Sequence, residues 1–144
     1  MVNVAIQFRD FLRTHITDPA NRTGEWVYDN YPREGFGKDV IITVIGAKGE
    51  SRPYGLSNSA WLSSQMIQID IWARDDVGYN INAIDYYDKD LIILLADLIE
   101  TTIRYKWRCL PISLIEMTDR TPISFNKDKL LWSISLTYEI QKVE

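Results

Sequence analysis

Six aspartates lie close together in the middle of the sequence and are the residues best suited to chemistry. They are Asp70, Asp75, Asp76, Asp85, Asp88 and Asp90. A metal-dependent nuclease needs carboxylates that converge on a divalent cation, and Asp70, which points outward from a predicted strand, could begin such a site. Aspartates also occupy turns and the first turn of helices for structural reasons. Because the spacing matches no defined motif, we interpret Asp75, Asp76 and Asp85 as structural and predict no metal site.

Other common catalytic patterns are incomplete. Gly46 and Gly49 follow a predicted strand, but GAKGES lacks the Gly-Lys-Ser/Thr order of a phosphate loop and no helix follows it. The chain has one histidine, His15, and one cysteine, Cys109, which is too few for a His-rich or Cys-rich metal site. We interpret Cys109 as a small buried hydrophobic residue. The sequence thus predicts no enzymatic activity, no catalytic residue and no cofactor.

A different set of residues suggests binding to other proteins. Aromatic and arginine side chains are enriched in protein interfaces. Trp72 and Arg74 point outward from a predicted strand, and Arg52 and Tyr54 belong to a long polar segment that precedes Trp61. The predicted subunit or partner interface therefore comprises Arg52, Tyr54, Trp61, Trp72 and Arg74.

Composition limits the classes of function. The chain has 144 residues, enough for one domain with a sizeable core, and we expect a single domain over residues 1–144. Its 16 basic and 20 acidic residues give a net charge of −4, without the basic surface that nucleic-acid binding requires. Residues 1–14 do not resemble a secretion signal, and the longest apolar run is too short to cross a bilayer. We expect a soluble protein made in a reducing cytoplasm, with no membrane partner.

Two segments, residues 64–73 and 130–143, alternate apolar and polar residues and predict strands with one buried face. In the first, the outward residues are Gln68, Asp70, Trp72 and Arg74. In the second, they are Ser133, Ser135, Thr137 and Glu139. These outward residues are expected to face water, a channel or another subunit, and none is expected to do chemistry.

The remaining patterns of the first half predict three further elements. Residues 3–14 have apolar residues at helical spacing, with Asn3 as a candidate cap. Residues 25–28 favour a short strand, and the β-branched residues 39–47 favour a strand that is buried on most of both faces. Residues 48–60 lack apolar periodicity and predict a polar arm between two strands.

The second half predicts one long helix and one more strand. Asn82 and Asp85 have the spacing of a capping box, which predicts a helix from there to about Tyr105. Residues 112–118 favour a strand and residues 119–128 a polar connection. The expected helix face is wide and apolar and comprises Ile84, Leu91, Ile92, Leu95, Leu98, Ile99, Thr102 and Ile103.

The predicted order is α-β-β-β-α-β-β, an α+β fold. Its antiparallel or mixed sheet has four to five strands, with the N-terminal helix and the long helix packed on it. The long helix is apolar over so much of its surface that we expect it to contact a neighbouring element or subunit as well as the sheet.

The order of these elements resembles the tail-terminator or tail-completion proteins of long-tailed bacteriophages and related viruses. The similarity rests on the amphipathic N-terminal helix, on the strand QIDIWAR (residues 68–74) leading directly into a long helix, and on the closing strand WSISLTY (residues 132–138). It extends over most of the chain. The families concerned share size, pattern and element order and have no invariant motif.

The resemblance implies a structural role in the virion, at the head-proximal end of the tail. Such a protein forms a ring, commonly a hexamer, that caps the tail tube, stops its polymerisation and gives the head or neck a surface to join. The implied partners are further copies of the chain, the tail tube protein and a head or neck connector, with DNA only as passing cargo. The alternatives are a head-closure or neck protein, a metal-dependent nuclease that uses Asp70, and an adaptor that binds peptides at a strand edge.

Overall fold

The computed structural model describes residues 4–22, 25–30, 40–46, 50–53 and 61–143. Within these residues the chain forms two α-helices, nine strands and one turn of 3₁₀ helix. In chain order they are α1 (Val4–His15), β1 (Val27–Tyr28), β2 (Ile41–Gly46), β3 (Glu50–Pro53), β4 (Trp61–Arg74), β5 (Gly78–Ile81), β6 (Ile84–Tyr87), α2 (Asp88–Lys106), the 3₁₀ turn (Trp107–Cys109), β7 (Leu114–Arg120), β8 (Ser124–Asn126) and β9 (Leu131–Val143).

Seven of the strands form one mixed sheet. Its main order is β1-β2-β4-β9-β7, with β3 also paired to β4 and β8 to β9. The β1–β2 pair is parallel and the other pairs are antiparallel. The α+β class and the mixed sheet are confirmed, but the expected four to five strands are too few. The additional strands β3, β5, β6 and β8 have only three or four residues each, too short for a period-two pattern to stand out.

The two long strands β4 and β9 form the centre of the sheet. They pair from Leu62 opposite Val143 to Arg74 opposite Leu131. On what we call the inner face, Ile67, Ile69 and Ile71 are fully buried among residues of both helices. The predicted alternation of both strands is therefore confirmed on this face. The outer face is the opposite side of the same sheet.

Both helices pack on the inner face. Helix α1 lies over β1 and β2 and buries Val4, Phe8, Phe11 and Leu12, as its periodicity predicts. Helix α2 lies over β4 and β9. The candidate cap Asn3 lies outside the described residues. No helix in the described part of the chain is long and apolar enough to cross a membrane.

The predicted start of the long helix is wrong. Asn82 and Ala83 both have positive φ angles, 52° and 67°, and form the tight turn of a separate β5–β6 hairpin. Positive φ at both central residues is the mark of a type I′ turn, which matches the twist of the strands it joins. Asp85 receives a hydrogen bond of 2.8 Å from Asn80 across this hairpin, and α2 begins only at Asp88.

The helix face also needs correction. Ile84 belongs to β6 and is exposed, and Leu98 is exposed on α2. The buried face of α2 consists of Leu91, Ile92, Leu95, Ala96, Ile99 and Ile103. Of the wide apolar surface expected for this helix, one side therefore remains uncovered.

Two segments predicted as connections contain strands. In the polar arm, residues 50–53 form β3, which pairs with the start of β4. The neighbouring residues of the arm, 48–49 and 54–60, lie outside the described residues. In the connection of residues 119–128, β7 continues to Arg120 and residues 124–126 form β8. Cys109 is exposed, which corrects the expectation of a buried thiol, because the turn that follows α2 lies at the surface.

Candidate functional site

The residues predicted as one interface lie at the two ends of the sheet. Trp61 begins β4, while Trp72 and Arg74 lie near its end. Eleven steps along a strand separate Trp61 from Trp72, or roughly 36 Å. Arg52 pairs with Leu62 and so lies beside Trp61. Tyr54 lies outside the described residues.

One of these ends carries a cluster of exposed apolar side chains. Here β4 begins, β9 ends and β7 begins, so Trp61, Val143 and Leu114 lie near the same end of adjacent strands. Val143 is opposite Leu62 and Leu114 is opposite Gln141, so these two share the outer face, whereas Trp61 alternates to the inner side. All three are exposed, Trp61 to 44%. Exposed Arg52 on β3 extends this group on the other side of β4. We call Arg52, Trp61, Leu114 and Val143 the sheet-end surface. Large apolar residues grouped in this way are typical of protein contact sites.

A second apolar surface follows helix α2. Leu94, Leu98 and Tyr105 are spaced by four and seven residues and therefore share one side of the helix. Leu98 and Tyr105 are exposed and Leu94 is half-buried. We call these three residues the helix stripe. It lies beside the buried face of α2, on the part of the helix that the sheet does not cover.

At the other end of β4, Trp72 and Arg74 have different surroundings. Trp72 is half-buried and its indole Nε1 donates a hydrogen bond of 3.1 Å to Thr43 Oγ1 of β2. Arg74 is exposed opposite Leu131. Trp72 thus joins β4 to β2 on the outer face. Its role as an interface residue stays a prediction.

Asp70 is buried, although its strand pattern places it on the outer face. The residue is only 2% exposed. Gln68 Nε2 donates to both carboxylate oxygens at 2.9 and 3.1 Å, and Ser135 Oγ of β9 donates a short hydrogen bond to Oδ1. No lysine, arginine or histidine among the described residues pairs with this carboxylate. Hydrogen bonds therefore take the place of a counter-ion.

The aspartates of the nuclease hypothesis do not gather around Asp70. Within the described ranges, one group of three carboxylates could share an ion, and it consists of Asp75, Asp76 and Asp88, with oxygens within 4.8 Å of one another. Asp75 accepts a hydrogen bond of 3.2 Å from Trp132 Nε1. Asp76 has a φ of 69° in the turn after β4, and Asp88 begins α2. Turn and helix-start positions are common for aspartates without any ion.

A cavity of about 460 Å³ lies beside the end of α1 and contains two arginines. Arg22 donates to Asp18 at 2.9 Å and to the backbone oxygen of Val40 at 2.6 Å, while Arg13 donates to the backbone oxygen of Val27. Burial raises the pKa of Asp18, but the hydrogen bonds from Arg22 and from backbone amides hold it below its ordinary value. These contacts tie α1 to β1, and the segment after α1 to the residue before β2.

A narrower groove of about 240 Å³ lies between α2 and β7. Arg120 of β7 bridges to α2 beside it, with Nη1 at 2.9 Å from Asp97 and 2.6 Å from Glu100. Tyr138 forms part of the wall, and burial together with the nearby Glu100 carboxylate raises its pKa to about 12. The groove cannot be recognised from the sequence, because its residues come from α2 with the 3₁₀ turn, from β7 and from β9, which are distant in sequence.

No protein-family model matches the chain, and no curated protein matches it.

Proposed function

We propose that this chain is a structural subunit of a virion ring that caps the tail tube and offers a joining surface to the head or neck. The observation that carries the proposal is the sheet-end surface, where Trp61, Leu114 and Val143 are exposed on three adjacent strands. A monomeric protein gains nothing from grouping such residues at its surface, whereas a subunit contact buries them.

Ring closure requires two different surfaces on each subunit, because each copy contacts the next in a head-to-tail manner. The sheet-end surface and the helix stripe lie on different elements and are both apolar. In a ring, one would contact the other on the next subunit. The number of copies, for which six is our expectation, follows from the angle between the two surfaces.

Charge supports the same role. The chain carries a net charge of −4 and holds no excess of basic residues that would retain a phosphate backbone. A ring through which DNA passes as cargo must not bind it tightly. The partners proposed are other copies, the tail tube protein and a head or neck connector, and the proposed location is the head-proximal end of the tail.

The proposal is tested by light scattering behind size exclusion and by negative-stain images, with the chain alone and with purified tail tubes. We expect rings in solution or rings at tube ends. Replacement Trp61→Glu should abolish them, because burial of the new carboxylate is unfavourable. Ile84→Glu is the matched control, since Ile84 is also exposed but lies on the β5–β6 hairpin, outside both surfaces.

A stable monomer that also ignores tail tubes would end the proposal. Rings that survive Trp61→Glu but not Ile84→Glu would move the contact away from the sheet end. If rings form and locate to the neck of assembled particles instead of the tube end, the protein is a head-closure component.

A further inference from the structure

The groove between α2 and β7 is lined by both apolar and polar residues. Ile103 of α2 and Trp107 of the 3₁₀ turn lie on one side, and Ile115 and Met117 of β7 lie on the other. Met117 is an exposed large apolar residue, and Trp107 is half-buried. A volume of about 240 Å³ suits one side chain of a partner better than a whole cofactor.

Tyr138 lines this groove. The residue is 4% exposed, and its hydroxyl makes no hydrogen bond to any residue that the structure describes. No buried side-chain N or O atom of the described residues lacks a hydrogen-bond partner, so the Tyr138 hydroxyl is open to solvent at the groove. The Tyr138 hydroxyl is therefore available to donate a hydrogen bond to an acceptor that enters the groove.

Arg104 makes an anion a suitable acceptor. The other cation beside the groove, Arg120, is shared by Glu100 at 2.6 Å and Asp97 at 2.9 Å. Arg104 is exposed at the groove and forms no ion pair with any residue in the described ranges. A carboxylate can therefore accept from both Arg104 and Tyr138, and such charge-assisted bonds are the stronger kind.

The third feature is the free edge of β7. This strand is the last in the sheet order and pairs only with β9, so its other side has no strand partner within the described part of the chain. Unpaired backbone groups at a sheet edge bind extended peptides by strand addition, and pockets for alternate side chains provide specificity. Ile115 and Met117 of this same strand line the groove.

We propose that the groove between α2 and β7 binds an extended peptide segment of a partner protein, which adds as a strand to β7. The segment carries an apolar side chain that contacts Ile103 and Met117. Two residues away, on the same side of an extended chain, it carries an Asp or Glu whose carboxylate pairs with Arg104 and Tyr138. This site does not depend on ring formation. Trp61, which the Trp61→Glu variant tests, does not line the groove.

The test begins with a library of random nine-residue peptides selected on the immobilised full chain. We expect enrichment of an apolar residue and an acidic residue separated by one position. The enriched peptide is then synthesised with a fluorophore and its affinity is measured by anisotropy. Replacement of its acidic residue by the matching amide should weaken binding at least tenfold, and N-methylation of alternate backbone amides should do the same.

The protein variants make the site specific. Arg104→Glu should weaken binding at least tenfold, and Tyr138→Phe several-fold, whereas Lys106→Glu should change it less than twofold. Lys106 is the matched control because it is exposed on the same helix end but does not line the groove. No enrichment, enrichment without an acidic residue, or equal binding by Arg104→Glu overturns the proposal. Self-association that Arg104→Glu abolishes would instead make a second copy the occupant and also overturn it.

Discussion

The two faces of the central β4–β9 pair are stabilised in different ways. On the inner face, Ile69 and Leu136 are opposite each other and pack among apolar residues of both helices. On the outer face, Asp70 and Ser135 are the next pair along and are joined by a hydrogen bond. Ile69 and Asp70 are both almost completely buried. Ile69 therefore lies in an apolar environment, and its neighbour Asp70 lies in a polar one.

This difference determines which substitutions each face of the sheet tolerates. Apolar packing is non-directional and is lost in proportion to the volume removed. The outer face depends on donors and acceptors that match, so a change there is costly mainly when it leaves a polar group unpaired. The following predictions compare the two faces and run from the largest expected effect to the smallest.

The inner face should be most sensitive to Ile69→Ala. Ile69 is fully buried at the centre of β4, so the substitution leaves a cavity under both helices. We expect the free energy of unfolding to fall by about 4 kcal/mol. Urea unfolding measures this value, with Ile93→Ala on the exposed side of α2 as the control, for which less than about 1 kcal/mol is expected. Equal losses for the two variants would contradict the assignment of the core.

The outer face should respond to Asp70→Ala. Removal of the carboxylate leaves Gln68 and Ser135 without their acceptor, and we expect a loss of about 2 to 3 kcal/mol. The exposed Asp119 on β7 supplies the control, since Asp119→Ala should change stability by less than about 0.5 kcal/mol. An increase in stability for Asp70→Ala would mean that the cost of burying the charge exceeds the value of its hydrogen bonds.

The inner face contains a titratable group, Tyr138, and alkaline pH should reveal it. In the folded protein its pKa is raised from 10.0 to about 12, so the unfolded chain loses this proton first. The contribution of the neutral hydroxyl is present below pH 10 and is lost as pH rises from 10 to 12. This loss amounts to about 2 kcal/mol, which Tyr138→Phe should not show. Parallel curves of unfolding free energy against pH for the two proteins would argue against a buried hydroxyl.

The smallest effect is expected for Thr43→Val on the outer face. The substitution keeps the shape of the side chain but removes the acceptor for Trp72 Nε1. Because Trp72 is half-buried, we expect a loss of only about 1 kcal/mol. Thr43→Ser, which keeps the hydroxyl, serves as the reference for urea unfolding. A smaller loss for Val than for Ser would show that methyl packing outweighs the hydrogen bond.

Part of the fold could be predicted from residues 64–73 and 130–143. Their alternation identifies the buried inner face, because side chains of a strand point to opposite sides whatever the rest of the chain does. The β5–β6 hairpin could not be found in this way. Asn82 and Asp85 have the spacing of a helix cap, and the turn that forms instead places Ala83 at a φ of 67°, which alanine seldom adopts.

The candidate surfaces could also be predicted only in part. Residue type predicts Trp61 and Arg52 as interface residues, and the pairing of β3 with β4 places both at the same end of the sheet. Trp72 and Arg74 lie at the opposite end of β4, since a strand is straight and long. Leu114 and Val143 are the other exposed apolar residues of the sheet-end surface. They could not be identified from the sequence, because an apolar residue near the end of a strand is buried in most cases.

By itself the sequence determined the α+β class, the amphipathic first helix and the side of each long strand that faces the core. All of these follow from periods of two or 3.6 residues, which are local properties of the backbone. Only the tertiary structure decided that Asp70 is buried, that β7 is the last strand in the order of the described sheet and that Tyr138 lines a groove beside α2. Each depends on contacts between distant segments, such as Asp70 with Ser135, which are 65 residues apart.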